Sequence, residues 1–346
     1  YDMPTEDQII YLPVATSTGR TSRLANGGAI RNRGVELQLF GDIVKNDKLT
    51  WNSRINLGAN RAVVTELPAG VSGGYPIVAS MFPNDGGTVG LEYVAVEGEL
   101  LGQLKGLTFM RDAYDNIIHQ DGLPMVSEEK STIGSYQPKA RIGWMNSFSV
   151  GNWQANILFD GQIGGLIYSR SHTLHNTSGN LVNDNDPHLD MNAIDGRVVY
   201  GVDYDSNGEP VYNLDQEGGV VGSGVMYDAS GNLVPNTVSV PIRDYYYKYY
   251  GNVWSRDNIQ PSTFDASYLK LRQLSIAYTV PADKLANTGL KGLTVSFVGR
   301  NLLLFTKVPT IDPETYSIRN GLFVNGYEST SMPSLRSFGF SINANL

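Results

Sequence analysis

Six aromatic residues crowd into ten positions of the 346-residue chain: Tyr245, Tyr246, Tyr247, Tyr249, Tyr250 and Trp254. Exposed rings at that density would stack on sugars or pack against peptides and partner proteins. The alternative is that some of them pack their own segment against itself. The histidines are His119, His172, His175 and His188. His172 and His175, followed by Asp184, Asp186, His188 and Asp190, could hold a metal. A spacing of three on an irregular segment is a poor ligand pattern, and solvated polar side chains are the expectation. Asp203, Asp205, Asn207 and Gly208 imitate the opening of a calcium loop, but the twelfth position is Leu214 rather than glutamate. There is no Gly-x-Ser-x-Gly elbow, His-Glu-x-x-His pair or phosphate loop, so neither catalysis nor a cofactor is expected.

The elements around these residues are strands. Val35, Leu37 and Leu39 alternate with Glu36 and Gln38; Trp51, Ile55, Leu57 and Ala59 alternate with Asn52, Arg54, Asn56 and Asn60. The same period of two runs through Lys139–Val150, Trp153–Ile167, Leu293–Phe305 and Ser337–Leu346. In Tyr268–Val280 the apolar face changes parity near Gln273, as a β-bulge would cause. Thr88–Val96 and Leu100–Met110 alternate less well. About nine strands result, several longer than soluble sheets use.

The connections alternate in length. Lys45–Lys48, Glu97–Glu99, Gly151-Asn152 and Pro281–Leu290 are short; Leu67–Gly87, Asp112–Pro138, Ser169–Ala266 and Thr306–Met332 are long. Short turns at one rim and long loops at the other predict a transmembrane barrel in the outer membrane, with its last strand ending at the periplasmic rim. On that count an odd number of strands lies in this chain. Trp51, Trp153, Tyr278 and Phe305 fall on the apolar face near strand ends, where aromatic girdles meet the bilayer surfaces. Arg54, Asn56, Asp160, Gln162 and Arg300 then face the lumen. A soluble β-sandwich is the rival fold; its strands are shorter and its loops are not sorted by length.

Composition agrees. Gly is 38, Tyr 20 and charged residues 17%, which excludes a coiled coil, and zero Cys excludes a disulfide framework. A net charge of −8 without a basic run excludes a nucleic-acid footprint. The opening Tyr1-Asp2-Met3-Pro4 reads as an interior point of a longer precursor. Within Ser169–Ala266, Tyr204–Val211 and Tyr227–Val234 are near-copies that read as hairpins above the barrel mouth.

Several segments, in order, resemble the SusC/RagA family of TonB-linked outer-membrane proteins. They are Ile30-Arg31-Asn32-Arg33-Gly34-Val35-Glu36-Leu37, Phe159-Asp160-Gly161-Gln162, Tyr268-Leu269-Lys270-Leu271-Arg272-Gln273-Leu274, Gly299-Arg300-Asn301-Leu302, Asp312-Pro313-Glu314 and Pro333–Phe340. The chain departs from the family pattern at its end, with Leu346 where phenylalanine is usual, and in the segment from Leu181 to Gln260. The resemblance implies the C-terminal part of an all-β barrel of about 22 strands. It implies a plug domain supplied from elsewhere in the longer protein, and coupling to TonB, ExbB and ExbD through that part. It also implies a SusD-like lipoprotein partner and import of an oligosaccharide or peptide. A surface receptor or adhesin without transport is the alternative.

Overall fold

The computed structural model describes the chain apart from residues 15, 21, 72, 79–89, 178–193, 196–201, 205, 208–209, 213–218, 252–257, 287, 310, 316, 320–321 and 346. Eight strands form one antiparallel sheet, in chain order: β1 (Asp2–Thr5), β2 (Ala29–Lys45), β3 (Thr50–Glu66), β4 (Ala140–Val150), β5 (Trp153–Ile163), β6 (Tyr268–Thr279), β7 (Gly292–Thr306) and β8 (Ser337–Asn345). β2 and β3 are 17 residues each. That is about 55 Å of extended chain at roughly 3.3 Å per residue, enough to cross a bilayer at a tilt and emerge above it.

The register lines up whole rows of like side chains. Leu39, Ile55, Trp144, Phe159, Leu271 and Leu303 form one row across six strands. Trp51, Phe148, Ala155, Ile276, Phe297 and Phe340 form another. On the opposite face, Glu36, Gly58, Arg141, Gln162 and Tyr268 align, as do Gln38, Asn56, Gly143, Asp160 and Lys270. The sheet therefore has one apolar and one largely polar face. The apolar face is bare: Val35 is 71% exposed and Phe340 81%. In a water-soluble protein that face would be core; left exposed over six strands, it requires an apolar surrounding. The expected parity change is present, with the register shifting between Leu271 and Gln273.

Two polar residues interrupt the apolar face, and both are capped. Ser53 and Asn146 face each other across β3 and β4. The Trp144 indole N–H donates to Ser53 Oγ at 2.9 Å, and the Trp51 N–H donates to Asn146 Oδ1 at 3.0 Å. Each indole also stacks on a cross-strand ring, Trp144 on Phe159 and Trp51 on Phe148. In hydrocarbon an unmatched amide oxygen has no water to turn to. Trp51→Phe keeps the stacking but removes the donor, and is expected to destabilise the folded wall by about 1–2 kcal/mol. Urea-dependent unfolding from lipid bilayers, compared with wild type, measures this; equal midpoints would show that the indole N–H contributes nothing.

The strand count needs two corrections. Glu92–Ala95 and Gln103–Gly106, the strands formed within the two weaker segments, do not join the wall. They form a separate four-stranded sheet with Tyr75–Val78 and Ser131–Ser135. Conversely β1, short and without its own alternation signal, pairs with β2 at the wall's edge. Among the described residues the wall therefore has eight strands, an even number. Loop parity could not expose the error, because removing two strands merges long, short and long into one long connection. The described alternation survives: short turns join β2–β3, β4–β5 and β6–β7, and long connections join the rest.

The buried core lies almost entirely in those long connections. Leu91, Tyr93 and Leu104 from the β3–β4 connection pack with Tyr168 and Ile259 of β5–β6 and with Val324 and Tyr327 of β7–β8. Strands are shared as well. Leu166–Ser169 lies between Thr263–Asp265 and, in parallel, Tyr327-Glu328. Ile118–Gln120 runs parallel to Val225–Tyr227. Three connections thus form one packed body, a crown, at a single rim of the wall.

Candidate functional site: the polar wall and its crown

The polar face carries Arg54, Asn56, Asp160, Gln162 and Arg300. Asn56 accepts from the Gln38 amide at 2.8 Å, and the Arg54 guanidinium lies over the Phe40 ring. Gln162 donates to the Gly164 and Ala266 carbonyls, and Arg300 pairs in register with Gln273. Two cavities, of about 370 and 560 Å³, open over this face. The first is lined by Tyr1, Glu36, Asn60, Tyr136 and Arg141, the second by Gln38, Asn56, Arg141 and Asp160. Gly58 and Gly143 sit at adjacent rows of that floor, with almost nothing above them that a Cβ would strike.

Asp160 belongs to a larger assembly that sequence reasoning missed. The bulge at Leu271–Gln273 adds Arg272, whose guanidinium pairs with Asp160 and with Glu314 Oε1 at 2.6 Å. Lys270, only 2% exposed, donates to both oxygens of Asp312 at 2.6 and 2.7 Å and pairs with Glu314. Tyr268 donates to Glu314 Oε1 at 2.8 Å. Burial raises the Glu314 pKa, but hydrogen bonds from Arg272, Lys270 and Tyr268 outweigh it and bring the carboxyl from 4.5 to about 2. The Asp312-Pro313-Glu314 segment is thereby clamped to the wall. In the sequence, the opposite charges of Lys270 and Arg272 and of Asp312 and Glu314 are the available signal for this contact.

In the crown, α2 (Ile242–Tyr249) carries the aromatic run. Tyr245, Tyr249 and Tyr250 are buried with Phe109, so a surface ligand cannot reach them, contrary to the contact role expected of all five tyrosines. Spacing explains it: positions 245 and 249 share one helix face, and that face turns inward. Tyr246 and Tyr247 keep partial exposure; Trp254 lies outside the described residues.

Two of the histidines, His119 and His172, are packed rather than solvated, while His175 is exposed as expected. His172 sits on α1 (Arg170–Thr177), fully buried, edge-on to Phe264 and Tyr250. The Asn176 amide faces its Nε2 and Ser262 Oγ its Nδ1, each at 3.1 Å. Both ring nitrogens are thus engaged, which is a core histidine's environment. His175 lies on the same helix; Asp184, Asp186, His188 and Asp190 are outside the described residues, as are Asp205, Gly208 and Leu214 of the calcium-like segment.

His119 is buried against Tyr245, its Nε2 3.2 Å from the phenol oxygen and its Nδ1 3.2 Å from the Ile117 carbonyl. Gly222 and Gly224 press on the pair, and a Cβ at either would collide with it. Burial pushes the imidazole below its ordinary 6.5, against the neighbouring carbonyls of Ile117 and Val225. A group whose folded pKa is depressed stabilises fully above its unfolded value and loses that contribution as pH falls through the folded one. Acidification below about 6.5 is therefore expected to loosen the hairpin Val225–Pro235 from Ile118–Gln120. Hydrogen exchange there, corrected for intrinsic rates, should rise between pH 7.5 and 5 in wild type and stay flat in His119→Gln; equal pH profiles in both would refute it.

The Tyr227–Val234 segment is a hairpin, and the structure adds a copy. Asp228 accepts from the amides of Ser230 and Asn232 and from the Asn232 side chain. Asp112 repeats the pattern with Tyr114 and Asn116. The position before each asparagine, Asp115 and Gly231, has positive φ. The Asp112 turn leads into Ile118–Gln120, which joins Leu123-Pro124 and both arms of the Asp228 hairpin in one four-stranded sheet.

A wall with one bare apolar and one polar face, crowned at one rim by long connections, defines a stretch of an outer-membrane β-barrel. Its relatives are TonB-dependent receptors. Two from Formosa agariphila, P26 and P3, are 24% and 23% identical over 99% of the chain, which spans 32% and 31% of their lengths. Among solved structures, the RagAB peptide transporter matches 99% of the chain at a TM-score of 0.60 and 17% identity, over 32% of its own chain. The RagAB peptide importer in its "open-open" state matches at 0.58. No family model matches. The SusC/RagA resemblance of the sequence motifs agrees with these likenesses, and the fold is that of a TonB-dependent transporter barrel.

Proposed function

We propose that this chain forms the C-terminal wall and part of the outer crown of a TonB-dependent importer of bulky nutrients, an oligosaccharide or a peptide. The observation that carries the reading is the pairing of a polar wall with a crown packed from three long connections. Such a body can hold cargo at the mouth of a polar passage. The long rim, including the 169–266 loop, lies outside the cell, and β8 ends on the periplasmic side. Trp51, Trp153 and Tyr278 form the girdle at the short rim and Phe305 belongs to the opposite one. Arg54, Asn56, Asp160, Gln162 and Arg300 line the passage or contact a plug domain. Tyr246 and Tyr247, with Trp254, contribute to the capture surface. A SusD-like lipoprotein covers the crown, and TonB with ExbB and ExbD acts through the rest of the longer protein. The RagAB neighbours are a peptide transporter by name, which supports this class of cargo and assembly.

Uptake of labelled oligosaccharides and peptides by cells carrying the full-length protein, with and without TonB, tests it. Import predicts periplasmic accumulation that disappears without TonB. Accumulation that persists there, or surface binding with no accumulation in either strain, favours a receptor or adhesin.

A further inference from the structure

Above the apolar belt, the outward face of β1–β3 turns abruptly basic. Arg31 and Arg33 share the parity of Val35, Leu37 and Leu39, and Arg61 that of Leu57 and Ala59. Arg33 and Arg61 are directly opposed across the two strands, a like-charge pairing that is unfavourable unless an anion lies between or beside the two. Asp2 supplies only part of that charge. Its carboxylate accepts from Arg31 at 2.6 and 2.8 Å and from Arg33 Nε at 3.1 Å. Among the described residues no carboxylate pairs with Arg61, and Arg31, Arg33 and Arg61 are all exposed. Three guanidiniums and one carboxylate leave the patch with two positive charges in excess.

Height decides what anion this is. Arg61 lies ten positions beyond Trp51 on β3. At roughly 3.3 Å per residue and a tilt of about 40°, that is about 25 Å, the height of a barrel's apolar band. The patch is thus one band-height from the lower girdle, with bare Val35, Leu37 and Leu39 beneath it. Charged nitrogen above and apolar side chains below fit a lipid whose phosphate sits at the surface and whose acyl chains run down the wall.

We propose that Arg33 and Arg61, with Arg31 fixed by Asp2, bind the phosphate of an outer-leaflet glycolipid of the lipid A type. The proposal rests on the reading that the long rim faces outward. Asp2 acts as a brace: its two-point contact with Arg31 and single contact with Arg33 hold both guanidiniums in place while leaving donors free.

The test uses the full-length protein in detergent, with native mass spectrometry reading retention of added bisphosphorylated lipid A against its dephosphorylated form. Wild type should retain the phosphorylated lipid. R33Q/R61Q should retain about tenfold less or lower, as expected for two interfacial arginine contacts, and R33K/R61K should keep most of it. Equal retention by wild type and R33Q/R61Q, equal retention of both lipids, or displacement by millimolar inorganic phosphate alone would overturn the proposal. An epitope inserted at Ser230-Gly231 and probed on intact cells checks orientation separately. If it is accessible and retention is unmoved, the lipid site fails while the outward rim stands; if it is inaccessible, the orientation itself fails.

Discussion

Lys270→Met should release the Asp312–Thr315 segment from the wall. The ammonium is buried, as is the Asp312 carboxylate it holds, so the variant leaves an uncompensated charge in a site closed to water. Breaking such a pair costs about 3–5 kcal/mol. The amide of Glu314 donates to Asp312 Oδ1 and that of Thr315 to the Asp312 carbonyl, so their exchange reads the clamp directly. Protection should fall by roughly two to four orders of magnitude if local opening carries the whole penalty. Lys270→Met combined with Asp312→Leu should recover most of it at Thr315, whose acceptor is the backbone carbonyl of residue 312, because two apolar partners replace the ion pair; Glu314, whose amide loses Asp312 Oδ1, stays unprotected. Unchanged protection in the single variant would mean that Arg272 and Glu314 suffice.

The same clamp sets a pH window. Glu314 is held at about 2, below its ordinary 4.5, so its contribution is complete above 4.5 and is lost as pH falls toward 2. Exchange at Thr315 should therefore be insensitive to pH-dependent opening near neutrality and rise only in acid.

Glu328→Gln should separate two of the crown's three parts. Glu328 is fully buried on the β7–β8 connection and accepts four hydrogen bonds. Ser169 Oγ and the Ser171 amide donate to one oxygen, Ser171 Oγ and the Ser331 amide to the other. Ser169 in turn caps α1, its Oγ accepting from the His172 amide at 3.1 Å. The carboxylate of one connection thus sits at the positive end of a helix in another. A glutamine turns one acceptor into a donor facing donors, and a loss of roughly 3 kcal/mol follows from the removed charge-assisted bonds and the orphaned group. The prediction is increased proteolysis within 164–177 and 322–331 with the wall intact; proteolysis confined to one segment would show that the carboxylate does not couple them.

How much of this could be read from residues follows from what repeats. The wall is periodic, so alternation located seven of its eight strands and even the bulge at Gln273. Trp51, Trp153, Tyr278 and Phe305 share the parity of the apolar rows for the same reason: parity along a strand is arithmetic once one face is known to be apolar. The crown is not periodic. Tyr93, Tyr168 and Tyr327 meet there from three connections, and nothing in their local sequence tells a buried tyrosine from an exposed one. Lys270 illustrates the opposite trap. On a polar face it reads as solvated, yet Asp312, 42 positions away, covers it. His172 and Glu328 were likewise invisible as core residues, because polar side chains become buried only when distant partners satisfy them.

The order in which the molecule comes together follows from where its core lies. Neighbouring wall strands such as β4 and β5, joined through Gly151 and Asn152, need little chain closure to pair. The crown's locking bonds join residues far apart in the chain: Ser169 to Glu328 across 159 positions, Phe109 to Gln260 across 151, His119 to Tyr245 across 126. Contacts of that separation become affordable only after the intervening strands have drawn their ends together. The wall is therefore expected to zip first and the crown to set last, so that the crown's rigidity reports a wall already paired.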